Sequence, residues 1–111
     1  MSRVLRITAI DVTTIRYDYA SVRIILENAG SEPVGPGQVL ARQVSKDGSV
    51  QTIEFFSPVS LSPKSKTKLT QLLRGSMKGI EFILYRGTDG ESIPLMELAK
   101  RGLFRWSLGA A

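Results

Sequence analysis

The sequence predicts an all-β fold: an antiparallel sandwich of about seven strands, ending in a short C-terminal helix or tail. Three observations carry this. The apolar residues recur at period two almost throughout, the spacing of a half-buried strand rather than of a helix. Two Asp-Gly pairs, Asp47-Gly48 and Asp89-Gly90, stand between apolar runs where tight hairpins need them. Looser breaks rich in proline and glycine fall at 28–37, 57–63 and 74–79, so that no strand runs through them.

Reading between these marks places strands near 4–13, 19–28, 38–46, 49–57, 65–73, 79–87 and 91–96. The second is the clearest. In "ASVRIILEN" the residues Ala20, Val22, Ile24 and Leu26 share one side, Ser21, Arg23 and Glu27 the other, and Ile25 is the exception. "SKDGSV" joins the third strand to the fourth and "RGTDGES" the sixth to the seventh, through turns whose central residues are expected at positive φ. In the fifth, Lys64, Lys66 and Lys68 alternate with Ser65, Thr67 and Leu69, so an extended chain puts the three lysines on one face. Lysine on an edge strand discourages a foreign chain from pairing with open amides, and Pro58 and Pro63 just before it fit an edge. "PLMELAKRG" sets Leu95, Leu98 and Ala99 at helical spacing after Pro94 and before Gly102, about two turns of helix. "LFRWSL" then alternates Phe104, Trp106 and Leu108 with Arg105 and Ser107. The division is a sandwich domain over 1–96 and a helix or tail over 97–111. An open five-stranded barrel is the second architecture, and it would leave two strands unplaced.

The pieces "VRIILENAGSEPV", "VSKDGSVQTIEFF" and "VSLSPKSKTKL" follow one another as in small immunoglobulin-like sandwich modules of the adhesion or FxLYD type, which the chain resembles over about two thirds of its length. In those modules an apolar strand ends in Asn-x-Gly, a strand and an Asp-Gly turn follow, and a Leu-Ser-Pro corner leads into another strand. The glycine usual after that corner is Lys64 here, and the charged tail beyond residue 95 has no counterpart. The resemblance implies a sandwich with a binding or structural role, often outside the cell, and transfers no functional residues.

Composition narrows the chemistry. With 111 residues and 42% hydrophobic content the chain fits one domain. It has no cysteine and no histidine, so thiolate chemistry, disulfides, cysteine-held metals and the commonest general base are excluded. No apolar run approaches the roughly 18 residues of a membrane span and the start is not signal-like, which makes the cytoplasm the default compartment. No cofactor is implied.

The net charge of +5 is matched by the acid-free stretch holding Lys64, Lys66, Lys68, Arg74 and Lys78, with a second cluster at Lys100, Arg101 and Arg105. These are the candidate polyanion contacts, although a charge run is more often a solvated face. Tyr17, Tyr19, Phe56, Tyr85 and Trp106 are the aromatics that could stack on bases beside them, against the simpler reading as packing. "GPGQVL", with Gly35 and Gly37, lacks the third glycine of a phosphate loop and reads as a turn. Ser65 and Lys68 have the Ser-x-x-Lys spacing of an acyl-transfer pair, but on a strand residues three apart face opposite sides. Asp89 and Glu91 are the only closely spaced acids and supply too few oxygens for calcium. No catalytic or metal-binding residue is assigned. The reading is a non-enzymatic interaction or structural module, part of a larger or self-associating assembly, with Phe104, Trp106 and Leu108 as the partner face of the tail. A basic nucleic-acid-binding domain is the alternative.

Overall fold

The computed structural model describes residues 4–16, 19–74, 77–97 and 104–108. They form eight strands: β1 (Leu5–Arg16), β2 (Tyr19–Asn28), β3 (Gly37–Ser45), β4 (Val50–Ser57), β5 (Lys66–Arg74), β6 (Met77–Gly87), β7 (Ser92–Glu97) and β8 (Phe104–Leu108). They hydrogen-bond in the order β4-β3-β6-β7-β1-β2-β5, with β8 also on β1. The result is one mostly antiparallel sheet that rolls into a nearly barrel-shaped body, 43 × 23 × 23 Å.

Alternation builds the core. Ala20, Val22, Ile24 and Leu26 are buried as their parity requires, and they meet Leu5, Ile7, Ile10 and Val12 from β1 and Leu69 and Leu73 from β5. Val39, Ala41, Ile53, Phe55, Tyr85 and Ile93 supply the other side of the same core. Phe55 and Phe82 pack with tilted rings 6.2 Å apart, within the range favoured by aromatic quadrupoles.

Both Asp-Gly hairpins use one device. Gly48 N donates to Ser45 O while Ser45 N pairs with Ser49 O, and Gly90 N donates to Gly87 O while Gly87 N pairs with Glu91 O. Each is a three-residue loop, a tight turn followed by a left-handed glycine. Of the turn residues only Gly48 and Gly90 have positive φ, both at 89°. The expectation that the central pair would share positive φ is corrected: Asp47 and Asp89 instead accept from Ser49 N and Glu91 N, which fixes the loop without left-handed aspartates.

Three further expectations change. The sheet is not wholly antiparallel, because β1 pairs in parallel with β7 over Leu5–Ile7 and with β8 over Ile10–Thr14. The helix after Pro94 does not start there, since Leu95, Met96 and Glu97 belong to β7 and pair with β1. Two neighbouring strands, β6 and β1, offer backbone partners on both sides of β7, and that outweighs a short helical spacing. Leu98, Ala99 and the rest of that stretch to 103 lie outside the described residues. Finally, five strands would not make this order, so the small open barrel is set aside.

β7 and β8 lie one after the other along β1. Ile7 is opposite Glu97 and Ile10 is opposite Phe104. Thr8 and Ala9 of β1 separate the two pairings, at the place where the β1–β2 register also shifts.

Candidate functional site

Among the described residues β4 and β5 stand at the two ends of the sheet order, and β8 pairs with β1 alone. Rolling brings these ends near each other, where the Gln71 carboxamide on β5 donates to Glu54 O on β4 at 2.8 Å.

The corner ahead of β5 hangs on Asn28. Its side chain is fully buried; Nδ2 donates to Glu32 O at 2.8 Å and Leu61 O at 3.0 Å, and Oδ1 accepts from Gly30 N at 3.0 Å. This is the physical reason for Asn-x-Gly at the end of β2: one amide ties two loops, next to the bridge between Val34 and Leu61. Lys64 N donates to Asn28 O, and Ser65 O accepts from Asn28 N. Lys64 has φ 68°, the left-handed conformation for which glycine is ordinarily chosen.

The lysine comb is thereby divided. Lys64 lies in the corner, not on the strand, with its ammonium on Ala29 O at 3.1 Å. Lys66 and Lys68 are exposed on β5, opposite Glu27 and Ile25 of β2. Arg74 ends β5 and Lys78 is in β6, strands that are not neighbours in the sheet, so the chain's most basic stretch is split between separate parts of the fold. The outer face of β1 and β2 carries the pairs Arg6–Glu27 at 3.6 Å and Arg23–Asp11 at 3.7 Å. Lys100 and Arg101 lie outside the described residues, and Arg105 is on β8, opposite Asp11 in register.

The fourth strand differs from β5. Its pattern buries Ile53, Phe55 and Ser57 and exposes Val50, Thr52, Glu54 and Phe56. Phe56 is 63% exposed and Val50 57%, and Val59, just beyond the strand, is 59% exposed. On β5, Leu72 is exposed as well. Of the two readings the sequence offered for Phe56, packing and stacking, this exposure sets packing aside. Parity accounts for it, since Ile53 and Phe55 face one way and Phe56 the other. The hydrogen bond between Ser45 N and Ser49 O fixes which backbone groups face β3: those of residues 51, 53, 55 and 57. Those of Val50, Thr52, Glu54 and Phe56 point away from β3, to the side from which Gln71 of β5 reaches Glu54 O.

The remaining sequence candidates are placed as follows. Ser65 Oγ donates to Ser62 O at 2.6 Å, committed to the turn, while Lys68 is on the outer face of β5. Gly37 starts β3 opposite Gly87 of β6, so close that a Cβ would run into the Arg86 carbonyl; packing accounts for it. Tyr85 is buried and its hydroxyl donates to Gly35 O at 2.6 Å, and burial pushes its phenol above the ordinary value. Tyr19 is half-buried, and Tyr17 lies outside the described residues. The Asp47 carboxyl is held below its ordinary value by the Ser49 hydroxyl and amide. Among the described residues no group of three or more acids could hold a metal ion. Phe104, Trp106 and Leu108 sit on β8, in register with Ile10, Val12 and Thr14 of the same chain.

No protein-family model matches the chain, and no curated protein matches it. A similar solved structure is that of IrmA from Escherichia coli, described as its structural characterization. It is 15% identical, covering 95% of this chain and 92% of that one, with a TM-score of 0.55. At that identity the likeness concerns the fold.

Proposed function

We propose that the chain is a non-enzymatic interaction module of the immunoglobulin-like sandwich kind, acting through its sheet edges and its terminal strand. The sandwich reading is supported by the strand order, in which β1-β2-β5 and β4-β3-β6-β7 form two sets facing one core. The observation that carries the functional reading is the outer face of β4, where Phe56 and Val50 stand exposed, with Val59 close after them in the chain. Large apolar side chains gathered along an open edge mark contact surfaces. The lysines of β5 fit the complementary role, keeping the other edge from pairing. Phe104, Trp106 and Leu108 form the second contact element, on a strand that among the described residues pairs with β1 alone.

The test is light scattering after size exclusion, on the full chain and on a chain lacking 103–111, each with and without a short oligonucleotide. An interaction module gives assemblies indifferent to the oligonucleotide, and loss of the tail leaves a folded chain of smaller assembly size. Stoichiometric oligonucleotide binding would overturn the reading. An unchanged assembly with a markedly lower melting temperature would assign the tail to stabilising its own domain.

A further inference from the structure

Apart from the contact surfaces on β4 and β8, we propose that the outer face of β1, β2 and β5 binds an acidic saccharide, one sugar ring seated over the Asp11–Arg23 pair with its carboxylate toward Lys68. This face carries a half-open cavity of about 300 Å³ lined by Asp11, Thr13, Ser21, Arg23 and Thr70. Alternation sets these side chains outward, since their neighbours Val12, Val22 and Leu69 are buried. Register makes the face a grid of two rows: Asp11, Arg23 and Thr70 stand side by side across the three strands in the first, and Thr13, Ser21 and Leu72 in the second. With strands about 4.8 Å apart and rows about 7 Å apart, the grid measures roughly 10 × 7 Å, the footprint of one hexose.

The chemistry of the lining selects the ligand. An ionised Asp11 accepts, Arg23 donates, and the three hydroxyls do both. At 3.7 Å the Arg23–Asp11 pair is longer than a charge-assisted hydrogen bond and both side chains are partly exposed, so the pair does not saturate either group. Adjacent hydroxyls of a sugar ring match it, one donating to Asp11 while its neighbour accepts from Arg23. A phosphate or sulfate placed there would instead meet the Asp11 carboxylate, and a metal ion would meet the Arg23 guanidinium with too few oxygens to hold it. Leu72, exposed beside Ser21 in the second row, gives an apolar rim for the C–H groups of the ring. Lys68 assigns the acidic substituent. It is exposed two residues before Thr70 on the same face, and its register partner is Ile25 rather than an acid.

Amide chemical-shift titration of the full chain with glucuronate, glucose, sodium sulfate and a short oligonucleotide tests this. Glucuronate is expected to saturate with a Kd of about 1 mM, the order set by the usual binding efficiency of so small a ligand. The shifts should centre on Thr13, Ser21, Arg23 and Thr70. Glucose is expected at the same amides, about threefold more weakly, for want of the ion pair with Lys68. Thr70→Val, at an exposed strand position where circular dichroism should show the fold intact, is expected to weaken both sugars about fivefold through the lost hydroxyl. Lys68→Gln should bring glucuronate down to the level of glucose and leave glucose unchanged. No saturable shift up to about 50 mM glucuronate, far above the expected Kd, overturns the proposal, as do shifts centred elsewhere or a preference for glucuronate that survives Lys68→Gln. Sulfate or the oligonucleotide binding these amides as tightly as glucuronate, with no response to glucose, overturns it too and marks the face as an anion contact. Failure of the sugar arms alone leaves the module reading standing, because none of these residues is on β4 or β8.

Discussion

Replacing Asn28 by alanine should be among the most damaging single changes in this protein. The side chain is fully buried and makes three hydrogen bonds, two of them in buried surroundings. Alanine leaves Gly30 N dry and without this partner, at about 1–3 kcal/mol, whereas Leu61 O keeps the amide of Val34 and loses only about 0.5–1.5 kcal/mol. The partly wet Glu32 O loses about 0.5–1 kcal/mol because water can take over. The sum is about 2–5.5 kcal/mol, a large fraction of the total for a domain of this size. Urea unfolding followed by fluorescence should show the midpoint falling with the slope unchanged. Asn28→Asp adds a directional check. A carboxylate there would face two carbonyl oxygens, so its folded pKa must rise above the unfolded value near 3.9. Relative to the unaltered chain, the variant is then most stable below about pH 4 and loses stability as pH rises toward the folded pKa. A loss under about 1 kcal/mol for Asn28→Ala, or a pH dependence of opposite sign for Asn28→Asp, would refute the account of the corner.

Lys64→Gly should stabilise the fold by about 0.5–1 kcal/mol, because relief of the left-handed strain outweighs one exposed ammonium contact, while Lys64→Val should destabilise it; chemical denaturation of both variants decides. Tyr85→Phe should cost about 1 kcal/mol through the bond to Gly35 O. Since the Tyr85 phenol is raised above 10.0, its contribution is complete below that pH and lost above it as the phenol ionises, so alkaline unfolding should be shallower in the variant. Asp47, whose pKa is lowered from 3.8, favours the fold above that value and ceases to as pH falls through the folded pKa; carbon-detected titration should show the depression shrink in Ser49→Ala but persist in part, because the amide of residue 49 still donates to the carboxylate. Gly37→Ala should lower the melting temperature by several degrees, as the β3–β6 pairing opens around the new methyl group.

Strand positions were readable wherever local chemistry decides them. Ala20 to Leu26 alternate cleanly, and the Asp-Gly loops announce themselves. Lys66 and Lys68 marked β5 as an edge before its place in the sheet was known. What could not be read depends on partners far along the chain. Nothing near Leu95 or Phe104 says that they pair in parallel with β1, and the spacing of Leu95 and Leu98 pointed to a helix. The φ of Lys64 was visible only as a glycine missing from a familiar corner. The exposure of Phe56 was legible by parity, but its place on an end strand of the sheet was not, because end status is a property of the whole sheet.

The pairing of β1 with β7 and β8 also sets a timetable. Leu5 and Ile10 meet Leu95 and Phe104, so these contacts close loops of roughly 90 residues. Such distant pairings slow folding. On a ribosome adding about 5–20 residues per second, that side of the first strand waits some 5–20 seconds for its partners. β2 can zip onto the other side at once, since only a short link separates it from β1. The emerging chain therefore carries an open strand while the residues between β1 and β7 are added, and a binding partner or chaperone able to cover β1 in that interval would govern how much of the protein reaches its native state.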